Sequence, residues 1–413
     1  MDADVAIVGA GVVGLATAHA LLAEGRRVVI VERGEVAKGA SFGNAGALAF
    51  SDVMPLASPG IMLKAPRWLM DPLGPLSVPP AYALGIAPWL FRFWRASSRR
   101  ASRHSMLAQA KLMRLARAET LRLIERTGLG AMLVSDGALE LYESKAELAA
   151  ALPGWEARAR EGIEFRHLEG AEIAALQPGL SPRFTHATFV PGWQSVSDPY
   201  LYALALAEAA RERGAAIRQG EVTGFETAGE TVTLRLADGA RVTARQAVIA
   251  CGAWSKALAR GLGNDVPLDT ERGYNTTLPP DSFDLKRQLT FGGHGFVVTR
   301  LSTGIRVGGA VELGGLALPP NFRRSEAMLA KAKAFLPGLR TEGGRQWMGF
   351  RPSMPDSLPV IGRSAASGDI VYAFGHGHLG LTQSAATGRL VADLLAGRDP
   401  AVDVRPFSPD RFR

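Results

Sequence analysis

Three glycines in the first turn constrain this chain more than any other feature. The N-terminus reads Asp4-Val-Ala-Ile-Val-Gly9-Ala10-Gly11-Val12-Val13-Gly14-Leu-Ala-Thr-Ala, and Glu32-Arg33 closes the next apolar run, Val28-Val-Ile-Val31. Strand, glycine turn, helix, strand and acid, in that order, make a dinucleotide-binding βαβ unit. Gly9 permits the tight turn, Gly11 lets a pyrophosphate approach the backbone, and Gly14 lets the helix pack close to the strand. The helix start then faces the phosphates with unpaired N–H groups and its positive dipole end. Glu32 is spaced to accept hydrogen bonds from ribose hydroxyls. Alone, this fingerprint fits NAD as well as FAD.

A chain of 413 residues suits two interleaved domains. Its net charge of +8 is compatible with an anionic substrate, a membrane surface or nucleic acid. No long Lys/Arg run supports nucleic acid, which is not expected as a partner. The single cysteine, Cys251, excludes an internal disulfide framework. The apolar run Val5 to Ala23 is broken by Gly9-Ala10-Gly11 and preceded by acidic residues, so neither a signal peptide nor a membrane span is expected. A cytoplasmic protein follows. The stretch Ala81 to Phe91 is too short to span a membrane. With Arg92, Trp94 and Arg95 it is compatible with peripheral contact on the inner membrane face, but a cap over a site is its expected use.

Further along, Gly39 to Gly46 is glycine-rich, and Met54 to about Pro88 is proline-rich and partly aromatic. Ser102 to Arg126 reads as a long amphipathic helix with Leu107, Leu112, Leu115, Leu121 and Ile124 near one face. Asp198 is a predicted N-cap with Pro199 at the first helical position. A strand pair over 221–236 and a buried strand ending at Ala250 follow. Residues 266–311 are β-rich, and 322–336 read as a helix. Near the C-terminus, Val371-Tyr-Ala-Phe-Gly375, the turn His376-Gly377-His378-Leu379-Gly380 and a helix to Leu395 repeat the strand, glycine turn, helix order. The expected class is α/β: a Rossmann-like nucleotide domain (1–50, 195–265 and 345–413) interrupted by a β-rich α+β substrate or cap domain (51–194 and 266–344). A ligand is expected where the two meet.

The first βαβ unit, Ser41-Phe-Gly-Asn44-Ala45-Gly46, the Asp198-Pro199 helix, the Ala250-Cys251-Gly252-Ala253-Trp254 turn, Gly349-Phe-Arg351-Pro352 and Gly375 to Gly380 fall in an order that resembles the FAD-dependent D-amino-acid oxidase superfamily. The chain is most similar to its bacterial D-amino-acid dehydrogenase branch. Some relatives act on D-proline or cis-4-hydroxy-D-proline. The resemblance implies FAD, held without a covalent bond: Ser353 stands where some relatives carry a flavin-linking cysteine, and no histidine lies between His19 and His104. It implies that Gly9, Ala10, Gly11, Val12, Val13 and Gly14 hold the pyrophosphate, with Glu32 and Arg33 near the adenosine. Val222 would touch the adenine by backbone contacts, and Cys251, Gly252 and Trp254, in the turn that anchors the nucleotide domain, would also bind the cofactor. Ser41, Asn44, Ala45 and Gly46 would line the path to the flavin. Gly375, Gly377, Leu379 and Gly380, with Thr382, would approach its ring edge, and Gly349, His378 and Leu381 would also bind the cofactor.

Oxidising an amino acid requires moving the α-hydrogen to flavin N5 as a hydride, so the protein must fix the α-carbon's position. Arginine suits a carboxylate clamp because its fork matches two oxygens. Arg351 matches the carboxylate-binding arginine of the superfamily's Gly-x-Arg-Pro motif. Tyr274 is the second candidate, and His294 and His378 follow. His376-Gly377-His378 lacks the further ligands of a metal site, and no metal is expected. The expected partner is an amino or imino acid, and the electron acceptor is a quinone, an electron-transfer protein or oxygen. D-amino-acid dehydrogenation is the leading expectation. D-proline or hydroxyproline oxidation and glycine- or sarcosine-type oxidation remain open, as do a flavin monooxygenase and a non-catalytic flavoprotein.

Overall fold

The strand Ala3–Val8 (β1) divides its side chains between two cores. Val5 and Ile7 face one core, and Ala6 and Val8 the other. Val28–Glu32 (β2) does the same with Val28 and Ile30 against Val29 and Val31. Continuous apolar runs of this kind belong to strands buried on both faces. The computed structural model, which describes residues 1–62 and 73–412, places them at the centre of a parallel sheet. Its order is Ala216–Gln219, β2, β1, Arg241–Ile249 and Ile370–Phe374. The antiparallel strands Val222–Ala228 and Thr231–Leu236 pair beside Arg241–Ile249, as the sequence predicts.

Helix Val12–Leu22 (α1) covers one face together with the helices Pro199–Glu212 and Gly380–Leu395. Asp198 caps the second of these, its Oδ1 accepting from the N–H groups of Tyr200 (2.8 Å) and Leu201 (3.0 Å). The long predicted helix spans Arg99–Thr127, from a Ser98 cap to left-handed Gly128. Two of its expected apolar-face residues, Leu107 and Leu121, are exposed, while Leu112, Ala116 and Leu123 are buried. These last three join Leu15 and Leu390 in the nucleotide-domain core. The sequence reading put this helix in the substrate domain, because position along the chain does not show which layer a helix covers.

The second sheet runs in the order Arg345–Ser353, Asp269–Leu278, Gly304–Glu312, Phe296–Leu301, Gln288–Phe291, Ala138–Tyr142, His186–Val190 and Arg166–Glu169. Helix Arg323–Phe335 packs against it through Phe335, beside Phe291 and Phe296. The strand Arg345–Ser353 belongs here, paired antiparallel with Asp269–Leu278. The boundary drawn from sequence at residue 345 therefore falls one strand early. The glycine-rich turn after this strand belongs to the nucleotide side, and sequence alone joined the two. Residues 63–72 of the proline-rich stretch lie outside the described residues. Among the described residues no helix is long and apolar enough to cross a membrane.

Candidate functional site

A continuous cavity of about 1070 Å³ lies between the two sheets. Its volume is at the upper end of small-ligand sites. One end is walled by Glu32, Arg33, Val222, Cys251, Gly252 and Trp254. The Arg33 guanidinium lies 3.9 Å from the centre of the Trp254 ring. Glu32 accepts from the N–H of Ala10 (2.7 Å) and of Gly34 (3.1 Å), which fixes its carboxylate at the turn. Burial, and after it the Glu32 charge, push the Cys251 thiol up to about 12. That group is a packing thiol, not a nucleophile.

Two of the fingerprint glycines are sterically required. Gly9 has φ +105°, and a Cβ there would meet the Ala250 carbonyl oxygen at 2.6 Å. A Cβ on Gly14 would drive into the Gly9 carbonyl oxygen. Gly11 differs: its nearest neighbour on that side is Ser41 Oγ at 3.5 Å, and it opens onto the cavity. Ser41 Oγ accepts the Val12 N–H at 3.0 Å and so caps α1 from a distance. Asn44 holds its own loop, its Oδ1 accepting from the Gly46 N–H at 2.7 Å. Gly9, Gly11, Val12, Val13, Ser41, Asn44 and Ala45 line the middle of the cavity, and Ala10, Gly14 and Gly46 support it from behind. A long cleft, an open glycine backbone and a helix N-terminus midway along it fit the adenosine, pyrophosphate and ring of FAD.

At the far end, Gly377, His378, Leu379, Gly380, Leu381 and Thr382 form the wall. Gly375, with φ +82°, turns the chain behind it against Met354. The Gly377 N–H donates to the Pro352 carbonyl at 2.7 Å, which ties this turn to the strand carrying Arg351. Arg351 lines the cavity and lies over Gly273, where any Cβ would collide with its guanidinium. Its Nη1 donates to the Ala310 carbonyl at 2.8 Å and its Nη2 to the Gly309 carbonyl at 3.4 Å. Burial pulls its pKa below the ordinary arginine value, against the opposing charge of Glu271. The guanidinium has five N–H donors, so two anchoring bonds leave donors for a ligand. Gly349 also lines the cavity, but its missing side chain makes room for the Trp347 indole, which Gly43 flanks from the other side.

The other three candidates fare differently. Tyr274 alternates with Gly273 and Asn275, so its ring points into the core behind the sheet. Its hydroxyl donates to Glu312 Oε1 (3.0 Å) and accepts the Asn321 N–H (3.0 Å). Both bonds engage the phenol within the protein, although Tyr274 is among the residues that border the cavity. His294 bonds Glu143 at 2.6 Å and packs on Phe335, outside the cavity. His378 lines the cavity, with Nε2 3.2 Å from Asp52 Oδ2. Burial raises the Asp52 pKa, but the His378 bond and the His378 and Arg158 charges outweigh it and hold the carboxyl below its usual value.

Sequence reasoning missed Asp52, Glu271 and Arg306 on this wall. The period-2 pattern around Gly273 was the available signal for Glu271, since residues 271, 273 and 275 share a face. His376 was read only as a rejected metal ligand. It is buried, bonded to Thr387 Oγ1 at 2.9 Å and pushed down to about 3 by burial, so its ring stays neutral. Trp89 of helix Ala83–Ala96 donates Nε1–H to the Ser353 carbonyl at 3.3 Å and packs with Ile86 and Leu313, and no residue of this helix lines the cavity. Leu84, Phe91 and Trp94 on the same helix are exposed.

Comparison with known proteins agrees with this geometry. The family model described as "DAO: FAD dependent oxidoreductase" matches residues 4–394. A D-amino-acid oxidase of Bradyrhizobium diazoefficiens is 37% identical over 424 residues, covering 99% of this chain and 98% of that protein. A D-amino acid dehydrogenase of Xylella fastidiosa is 33% identical over 404 residues, covering 95% of this chain and 92% of that one. The crystal structure of glycine oxidase from Geobacillus kaustophilus superposes with a TM-score of 0.76 at 26% identity, covering 99% of this chain and 98% of that one. With a fingerprint, a two-sheet cleft and a family match along nearly its whole length, the chain belongs to the DAO family of FAD-dependent oxidoreductases.

Proposed function

We propose that this protein oxidises D-amino acids at the bond between Cα and nitrogen, as a dehydrogenase. When bound, FAD supplies the two-electron acceptor for the hydrogen leaving Cα. The observation that carries the reading is Arg351, a cation with open donors on the cavity wall, one residue from the backbone bond to the Gly377 turn. Arg351 would hold the substrate carboxylate in its fork, with the Ala310 and Gly309 carbonyls fixing the other edge of the guanidinium. The D configuration rests on the two curated relatives named for D-amino-acid chemistry. The two names differ in acceptor, and dehydrogenation follows the branch resemblance.

The test is anaerobic reduction of the bound flavin by paired D- and L-amino acids, with D-proline, cis-4-hydroxy-D-proline, glycine and sarcosine alongside. Bleaching by D-amino acids and not by their L-partners is expected. A preference for the imino acids, or for glycine and sarcosine, would move the assignment to those substrates. Reduction by NADPH without any amine would overturn it in favour of a monooxygenase. Reoxidation of the reduced protein by a soluble quinone, faster than by oxygen, is the expected mark of a dehydrogenase.

A further inference from the structure

The sheet face that carries Arg351 carries a second charge. Glu271 stands directly opposite Arg351 in the antiparallel pairing of Asp269–Leu278 with Arg345–Ser353. Directly opposed residues hold their Cβ atoms about 4.5–5.5 Å apart. Glu271 is only 5% exposed, and it lines the cavity. Among the described residues no hydrogen-bond donor reaches its carboxylate, and no ion pair joins it to Arg351. Its charge is nonetheless felt at the guanidinium.

Buried carboxylates are ordinarily paired or hydrogen-bonded, because desolvating an unmet charge is expensive. The neighbouring acids in this half of the molecule follow that rule: Glu312 is met by Arg272 at 2.9 Å and Asp52 by His378 at 3.2 Å. Glu271 is the exception, and it is the acid beside the proposed carboxylate clamp. An α-amino acid presents a carboxylate and an ammonium on the same carbon. A guanidinium and a carboxylate at opposed positions of one sheet face are complementary to those two groups.

We propose that Glu271 receives the substrate's α-ammonium group and takes one proton from it, while Arg351 holds the carboxylate. This rests on the amino-acid reading above and adds the residue that prepares the amine. In the step, one N–H bond of the ammonium breaks, its electron pair stays on nitrogen, and the proton passes to a Glu271 oxygen. The free amine is the form from which hydride leaves Cα readily. The site would select amino-acid zwitterions over 2-hydroxy acids, which bring no cation for Glu271.

The experiment uses FAD-replete Glu271→Gln, checked by its visible flavin spectrum. Stopped-flow anaerobic reduction by D-alanine is followed from pH 7 to pH 10, and propionate binding is measured separately by spectral titration. At pH 7.5, reduction is expected to slow at least about tenfold, the scale of losing one general base. It should recover towards pH 10, where solution supplies the neutral amine. Propionate, which has no amine, should bind as tightly as before or more tightly, because a like charge has been removed. Wild-type rates in the Gln variant at pH 7.5 would overturn the assignment. So would an equal loss at both pH values accompanied by weaker propionate binding, which would mark a structural role. If the Gln variant does not hold FAD, Glu271→Asp serves instead: it should keep the wild-type pH profile at a reduced rate, and a profile shifted like that of an enzyme without a base would refute the role. If no amino acid bleaches the unmodified protein, the functional reading itself fails. If the unmodified protein is bleached and the Gln variant matches it, only the Glu271 assignment fails.

Discussion

Replacing Arg351 with alanine tests the site most directly. In the structure the guanidinium is fixed by the Ala310 carbonyl at 2.8 Å and the Gly309 carbonyl at 3.4 Å, and it faces the cavity beside Glu271. Truncating one partner of a buried, hydrogen-bonded charge pair costs about 2–5 kcal/mol. At about 1.4 kcal/mol per tenfold, that is roughly a 30- to 4,000-fold loss of affinity. Glu271 moves the expectation to the upper half of the range, because without Arg351 its charge faces the incoming carboxylate unopposed. Arg351→Lys keeps the charge but not the planar fork, and should fall between the alanine variant and the parent. The assay is a spectral titration of FAD-replete protein with propionate, which reports carboxylate binding without turnover. An alanine variant that retains FAD and binds propionate within about threefold of the parent, well under the smallest loss expected, would refute the clamp.

Other outcomes follow from single contacts. Gly14→Ala would push a Cβ into the Gly9 carbonyl oxygen. It should destabilise the protein by about 1–3 kcal/mol and lower its FAD content, read from the flavin-to-protein absorbance ratio. Glu312→Gln removes the countercharge of fully buried Arg272 while keeping a carbonyl oxygen that can accept from the Tyr274 hydroxyl. A loss of about 3–5 kcal/mol is expected in urea unfolding, whereas an unchanged midpoint would show that the pair is not needed. His376 is held near 3 when folded, against 6.5 for an unperturbed imidazole. Between those values the unfolded chain binds the extra proton, so stability should fall as pH drops from about 6.5 towards 3, by up to about 1.4 kcal/mol per pH unit. His376→Gln should flatten that slope in denaturant titrations at successive pH values. Cys251, raised to about 12, should resist thiol reagents at pH 8 in the folded protein and react on unfolding.

Much of the nucleotide side was legible in advance because its signals are local. Gly9, Gly11, Gly14 and Glu32 lie within one βαβ unit, and the Asp198-Pro199 start is read from two adjacent residues. The errors came where locality fails. Arg345–Ser353 sits beside a nucleotide-domain turn in sequence but pairs with the other sheet. Helix Arg99–Thr127 lies within the stretch assigned to the substrate domain and packs on α1's side of the molecule. Tyr274 was chosen for its chemistry, but strand alternation turns its phenol towards Glu312. His294 was chosen for its glycine neighbours, but it is engaged by Glu143.

The amino-acid sequence alone determined that this chain builds a strand, a glycine turn and a helix of the kind that cradles a dinucleotide, because a turn that needs Gly9 and Gly14 and a helix that starts at Val12 are set by neighbours a few residues apart. It also singled out Arg351, through the motif around it. Only the tertiary structure decided what stands beside Arg351. The register between Asp269–Leu278 and Arg345–Ser353 sets Glu271 opposite it, and the backbone bond from Gly377 to Pro352 brings both to the far end of the cleft. Register depends on pairing between segments some eighty residues apart. A one-residue slip of Asp269–Leu278 would turn Glu271 into the core and put Arg272 in its place. Alternation within one strand shows that residues 271, 273 and 275 share a face, but neither segment shows which residue of the other stands opposite, so the placing of Glu271 across from Arg351 becomes visible only once the sheet is formed.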